Sequence, residues 1–210
     1  MGENLSRAST TVTPIDDIED PRYSTHMTSS SVASGALGAA LVLFGSAACR
    51  AQGYPFSQRG RVDQTVAFTD ISVVYGRPVA RGRVLFGDSA LVKWDAIWHP
   101  GADSATRVTF SHDIKLEGRD VKAGEYTIWL IPRADTPWTF ILSRAAHVFH
   151  IPYPGESSDA LRVDVTPERG SHMETLAIYF PVVLRDEAVM RIHWGEMIIP
   201  VRIKAPYRPE

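Results

Sequence analysis

From Arg61 onward the chain divides into short runs in which apolar and polar side chains alternate, or in which β-branched and aromatic residues cluster, each bounded by Gly, Pro or Asp. A period of two sends successive side chains to opposite faces of a pleated strand. The alternation is plainest in Thr175–Phe180 and Val201–Lys204. Ten runs read as strands: Val62–Phe68, Ile71–Tyr75, Arg107–Ser111, His112–Leu116, Tyr126–Ile131, Trp138–Leu142, Leu161–Thr166, Met173–Phe180, Val189–Trp194 and Met197–Ile203. Glu117-Gly118-Arg119-Asp120 predicts a tight turn with a positive φ at Gly118, and Lys122-Ala123-Gly124-Glu125 places another glycine before a strand. Trp194-Gly195-Glu196 reads as a turn between the last two strands. Helical periodicity beyond a turn or two is missing after the leader. Short strands spaced near ten residues apart predict one antiparallel β-sandwich, jelly-roll-like, over residues 58–206.

A different pattern occupies the N-terminus. Residues 1–26 are polar and acidic, a tail with no apolar period. From Met27 through Cys49 no residue is charged, and Ala36–Gly45 is a compact apolar run ending in the small residues Ser46, Ala47 and Ala48. Three fates fit residues 27–51. The run has the shape of a secretory signal and its cleavage site. Cys49, the only cysteine, stands where a bacterial lipoprotein carries its acylated residue, and two acyl chains suffice to hold a domain at a membrane. The uncharged stretch is also long enough to stay in the bilayer as an anchor. All three predict export to the periplasmic side of the cell envelope. Residues 52–57 form a linker broken by Gly53 and Pro55, and residues 207–210 a short tail.

Charge removes one class of partner. Among 210 residues, 22 Lys and Arg face 24 Asp and Glu, a net charge of −2. A balance this even offers no electrostatic footprint for a phosphate backbone, which argues against nucleic acid. A single cysteine excludes an internal disulfide framework and a multi-cysteine zinc site.

Candidate chemistry is sparse. His147 and His150 have ligand-like spacing, yet on a strand they face opposite ways, so they read as loop histidines and no metal or cofactor is expected. His112-Asp113 and Trp98-His99 flank the loop 101–106 and would approach across a hairpin, with Ser104 or Ser111 as nucleophile, but no G-x-S-x-G elbow is present. Arg77, Arg81 and Arg83 concentrate three guanidinium groups able to clamp a carboxylate or phosphate; otherwise they are strand-edge charges paired with Asp70 and Asp88. Five tryptophans fall at or near predicted strands and suit a sandwich core, with Trp94, outside a strand, as an exposed anchor at an interface.

Several segments in order resemble a bacterial exported family known as domain of unknown function 2911. They include Tyr75-Gly76-Arg77-Pro78, Arg81-Gly82-Arg83, Phe86-Gly87, Trp98-His99-Pro100-Gly101-Ala102-Asp103, Val108-Thr109-Phe110-Ser111, Ala123-Gly124-Glu125-Tyr126 and Leu161-Arg162-Val163-Asp164-Val165. The resemblance covers about residues 57–204 and implies an envelope-located β-rich domain, without a reaction. It also implies departures: Ser is usual where Gly76 stands, Arg-Thr where His99-Pro100 stand, and Asn where Asp103 stands. A ligand site of the relatives in those loops would be altered or lost.

The expected function is therefore a non-catalytic, membrane-associated accessory subunit, docked on the periplasmic side of a membrane complex through aromatic and arginine-bearing loops. A photosynthetic reaction-centre and light-harvesting assembly is the host considered first. The alternative is a small-molecule module for an anion or sugar, or an uncharacterised enzyme. Either use would draw on Arg77, Arg83, Trp94, Trp98, His99 and Asp103, with Cys49 as a lipid attachment.

Overall fold

A computed structural model describes residues 57–207. Cys49 and the leader lie outside the described residues. Ten strands build two antiparallel sheets. β1 (Gln58–Val66), β2 (Thr69–Arg77) and β3 (Arg107–Phe110) run side by side, followed in the same sheet by β6 (Gly124–Ile131), β7 (Trp138–Ser143) and β8 (Asp159–Val165). The second sheet has the order β5 (Arg119–Val121), β4 (Ile114–Leu116), β10 (Glu187–Lys204), β9 (Glu168–Val183). Among the described residues the one helical element is a single 3₁₀ turn, Glu156–Ser158. The all-β sandwich expected from the alternation is the fold observed.

The core follows from that alternation. Ile71, Val73 and Tyr75 of β2, Val108 and Phe110 of β3, and Ile128 and Leu130 of β6 face Leu176 and Ile178 of β9 and the apolar side of β10. β6 and β7 are buried on both faces. Their outward residues Trp129 and Ile141 form a second cluster with Ala105, covered by Val148 and Tyr153 of the segment after β7. Burial on both faces explains why these two strands read as near-continuous apolar runs.

Two turns have local causes. β4 and β5 meet through Glu117 (φ 47°) and Gly118 (φ 77°), two left-handed residues whose twist matches the strands they join. β1 and β2 are joined by Ala67-Phe68, with Ala67 at φ 52°, so the first predicted strand runs two residues too far. No glycine or asparagine marks that turn.

The predicted turn at Trp194-Gly195-Glu196 is corrected: β10 runs straight through it. Gly195 lies at φ 57° inside the β9–β10 ladder, where the register shifts on either side of it. Before it Ala188, Met190, Ile192 and Trp194 point inward; beyond it Ile199, Val201 and Ile203 do. The left-handed residue flips the inward parity of β10 from even to odd, while the register shifts leave the extra residues in the facing stretch of β9. In the sequence such a phase break looks the same as a turn.

Candidate functional site

The loop between β2 and β3 carries most of the candidate residues, and its backbone pairing sets their places. After β2 the chain crosses to the second sheet, where Val79 bridges Thr175 of β9. It then folds on itself, Leu91 N–H to Val84 O and Val92 N–H to Leu85 O, and returns to the first sheet. There Trp98 bonds Leu130 in both directions, filling the place beside β6 that β3 leaves vacant before Arg107. A closed turn follows. Thr106 donates its hydroxyl to Pro100 O and its backbone N–H to His99 Nε2. Gly101 is required in it, because a Cβ there would stand 2.5 Å from Thr106 Oγ1 and 2.7 Å from His99 Cε1.

Phe86 is the hub of an aromatic cluster. It meets Trp98 and Trp138 at 5.4 Å between ring centroids, and Trp94 and Trp194 at 6.3 Å, while Trp98 stacks on Trp194 at 6.2 Å. Four of the five tryptophans thus share one site in the core. Trp94 is half-buried against Phe86 and Trp138 and does not project as the isolated anchor expected from the sequence. Trp129 lies on the opposite face of the sheet, against His99 and Tyr153.

Beside the cluster a cavity of about 510 Å³ opens to solvent. Arg81, Arg83, His99 and His150 supply its polar lining, and Leu91, Ile97, Trp98, Ile151 and Trp194 much of its apolar wall. No acidic residue lines it. Ser57, the first described residue, lines it too.

His99 is buried, and its protonation state is fixed by geometry. The Thr106 amide can only donate, so Nε2 accepts and Nδ1 holds the proton of a neutral ring. Burial, with His150 nearby, lowers its pKa to about 3. Its Nδ1 has no hydrogen-bond partner among the described residues, and neither has Trp194 Nε1. His150 donates Nδ1–H to the carbonyl of Asp103 at 2.6 Å, and its backbone N–H bonds the same oxygen.

Of the residues singled out in the sequence, Arg83, Trp98 and His99 line this cavity; Arg77, Trp94 and Asp103 do not. Arg77 donates Nε–H to Leu176 O and lies across Gly60. Arg83 is held by the carbonyls of Ala80 and Val79. Neither forms the expected pair with Asp70 or Asp88. Asp103 contributes its backbone carbonyl, at φ 64°. Trp194, Arg81 and His150 complete the lining; Trp194 reads in the sequence only as a strand residue, because the fold alone brings β10 to this loop.

The other groupings do not assemble. His99 and His112 lie at opposite ends of β3, so no hairpin joins them. Ser111 Oγ does contact His112 Nδ1 at 2.9 Å, but Asp113 is taken by Lys122 and the Ala123 N–H, leaving no third group to orient the imidazole. His147 pairs with Glu125 and Arg107, away from His150. Among the described residues no group of three His, Cys, Asp or Glu is placed to hold a metal ion, and no helix is long and apolar enough to cross a membrane.

A family model described as protein of unknown function (DUF2911) matches residues 57–203, more than half of the chain. No curated protein and no solved structure matches it.

Proposed function

The chain belongs to the DUF2911 family of proteins of unknown function, and from that premise we propose that its sandwich is a non-catalytic docking domain, an accessory subunit seated on the periplasmic face of a membrane complex. One observation carries the reading: the rim of the cavity gathers exposed apolar side chains at the end where the described chain begins. Leu91, Ile97 and Ile151 line the cavity and are 41% to 65% exposed, and exposed Val84 and Phe149 adjoin Leu91 and His150 of the lining. Scattered exposed apolar residues are ordinary, but a group of them beside a cleft marks a contact surface. Arg81 and Arg83 border the group and would supply the charged rim of an interface.

Chain length adds direction. Seven residues separate Cys49 from Ser57, and at about 3.5 Å per extended residue they cannot carry Ser57 more than roughly 30 Å from Cys49. A lipid at Cys49, or a retained apolar segment, would therefore keep this end near the bilayer, where a membrane complex would meet it. A photosynthetic reaction-centre assembly as host is the narrower form of this proposal.

Mild-detergent extraction of native membranes, fractionation by size, and intact-mass measurement of this chain in each fraction tests the reading. Co-migration with a large complex at fixed stoichiometry is expected, with the mass reporting cleavage or acylation at Cys49. Recovery only as a free monomer would overturn it.

A further inference from the structure

Edge strands present unpaired backbone groups, and three edges of this sandwich are blunted. β5 is only three residues long. β9 is capped where Val79 bridges Thr175, and it carries Pro181 near its end. The pairing of β8 with β7 shifts register between Leu142 and Ser143. Short, covered or irregular edges keep chains from joining edge to edge. β1 has none of these devices. It pairs with β2 over all nine residues in unbroken register, and among the described residues no strand or bridge meets its other side.

The turn after β1 fixes which backbone groups lie on that open side. Val66 pairs with Thr69 across Ala67 and Phe68, which are adjacent and cannot bond each other, so Val66 and Thr69 exchange both hydrogen bonds of a close pair. Alternation along the ladder then turns the N–H and C=O groups of Gln64, Val62 and Gly60 to β2, and those of Thr65, Asp63, Arg61 and Arg59 outward. The Thr65 carbonyl accordingly accepts from the Gln64 side chain. The side chains of Arg59, Arg61, Asp63 and Thr65 are exposed as well.

Paired antiparallel with a copy of itself, this strand is complementary in one register. With the two-fold axis at Val62, Arg61 faces the partner's Asp63, and Asp63 faces the partner's Arg61. Arg61 already holds Asp63 of its own strand at 2.8 Å, so the four charges would alternate in sign both along and across the strands. An axis at Arg61 or at Asp63 sets like charges opposite each other, and an axis at Gly60 sets Arg59 opposite Arg61, all of which repel. Val62 is also the midpoint of Gln58–Val66, so the favoured register pairs the whole strand. Val62, half-buried against the core, would meet its copy at the axis.

We propose that β1 is the interface of a homodimer, joined antiparallel about a two-fold axis at Val62 so that the six-stranded sheet continues through both copies. Docking through the cavity rim rests on other residues, and either reading can fail alone.

The full chain, purified in mild detergent, would be followed by sedimentation velocity with the detergent density-matched, over a series of concentrations. A reversible dimer is expected. Arg61→Asp and Asp63→Arg each set like charges opposite one another, and each alone is expected to weaken the dimer about tenfold. Both should leave the thermal midpoint within a few degrees, because the two side chains are more than half exposed. Mixing the two variant chains is expected to restore the dimer. The register has its own readout. In a Cys49→Ser background, Val62→Cys is expected to give a disulfide-linked dimer under mild oxidation, since such a pair stands about 4.5 Å apart at Cα. Thr65→Cys, which faces Arg59, is not. A native chain monomeric at every concentration, a dimer indifferent to both charge reversals, reversed chains that do not pair when mixed, or equal linking through positions 62 and 65 would each overturn the proposal.

Discussion

At the scale of single residues, His99 shows how burial makes a polar side chain a structural part. Its ring closes the turn by accepting the Thr106 amide, which only the neutral form can do. An unfolded histidine titrates near 6.5, whereas this one is held to about 3. Between those values the unfolded chain takes up the proton first, so the contribution of His99 to stability is complete above pH 6.5 and is lost as pH falls toward 3. Denaturant midpoints across that window should fall faster for the native protein than for His99→Gln, which keeps an acceptor but does not titrate. The two should diverge by at most about 1.4 kcal/mol per pH unit. Asp113 and Glu174, held below the usual carboxylate range chiefly by Lys122 and His172, act equally in both proteins. Parallel pH slopes would show that His99 is not the titrating group. Gly76 supplies a second lesson: a Cβ there would stand 2.3 Å from Ala102 O. Serine, the residue expected from the family resemblance, does not fit against this turn. Gly76 and the turn from His99 through Asp103, distant in sequence, are thus one coupled feature in space.

Among the elements, β10 is the one whose form decides the site. Its bulge at Gly195 keeps both halves of an 18-residue strand facing the core and sets Trp194 into the cavity wall. A Cβ at Gly195 would demand a left-handed alanine and would stand 2.8 Å from Leu85 Cδ1. Gly195→Ala should therefore lower unfolding free energy by about 1–2 kcal/mol, read from equilibrium denaturation. An unchanged midpoint would mean that the bulge relaxes. The strands themselves were legible wherever one face is core and the other solvent, as in β2 and β9. Reading failed at β10 because a bulge and a turn interrupt the period alike, and at β5 because three residues are too few to show a period.

Viewed whole, the cavity brings exposed Leu91, Ile97 and Ile151 beside the first described residue, Ser57, while a second exposed apolar group (Phe68, Val182, Val183, Leu184 and Tyr207) lies away from that cavity. Replacing Leu91 and Ile151 together by Asp should abolish co-migration with a membrane complex while leaving the thermal midpoint within a few degrees, because both side chains project into solvent. Retained co-migration would place the docking surface elsewhere. The sequence alone was enough to determine the all-β sandwich, its approximate strands and the even charge that argues against nucleic acid, because each follows from local period or composition. Arg83, Trp98 and His99 were legible as candidates from residue type. That they share a cavity with Trp194 and His150, while Arg77 and Trp94 turn to other partners, was decided only by tertiary structure. The physical reason is that packing of one sheet on the other stacks residues as distant as Trp98 and Trp194, and which side chains meet is known only after every backbone and side chain has found its place.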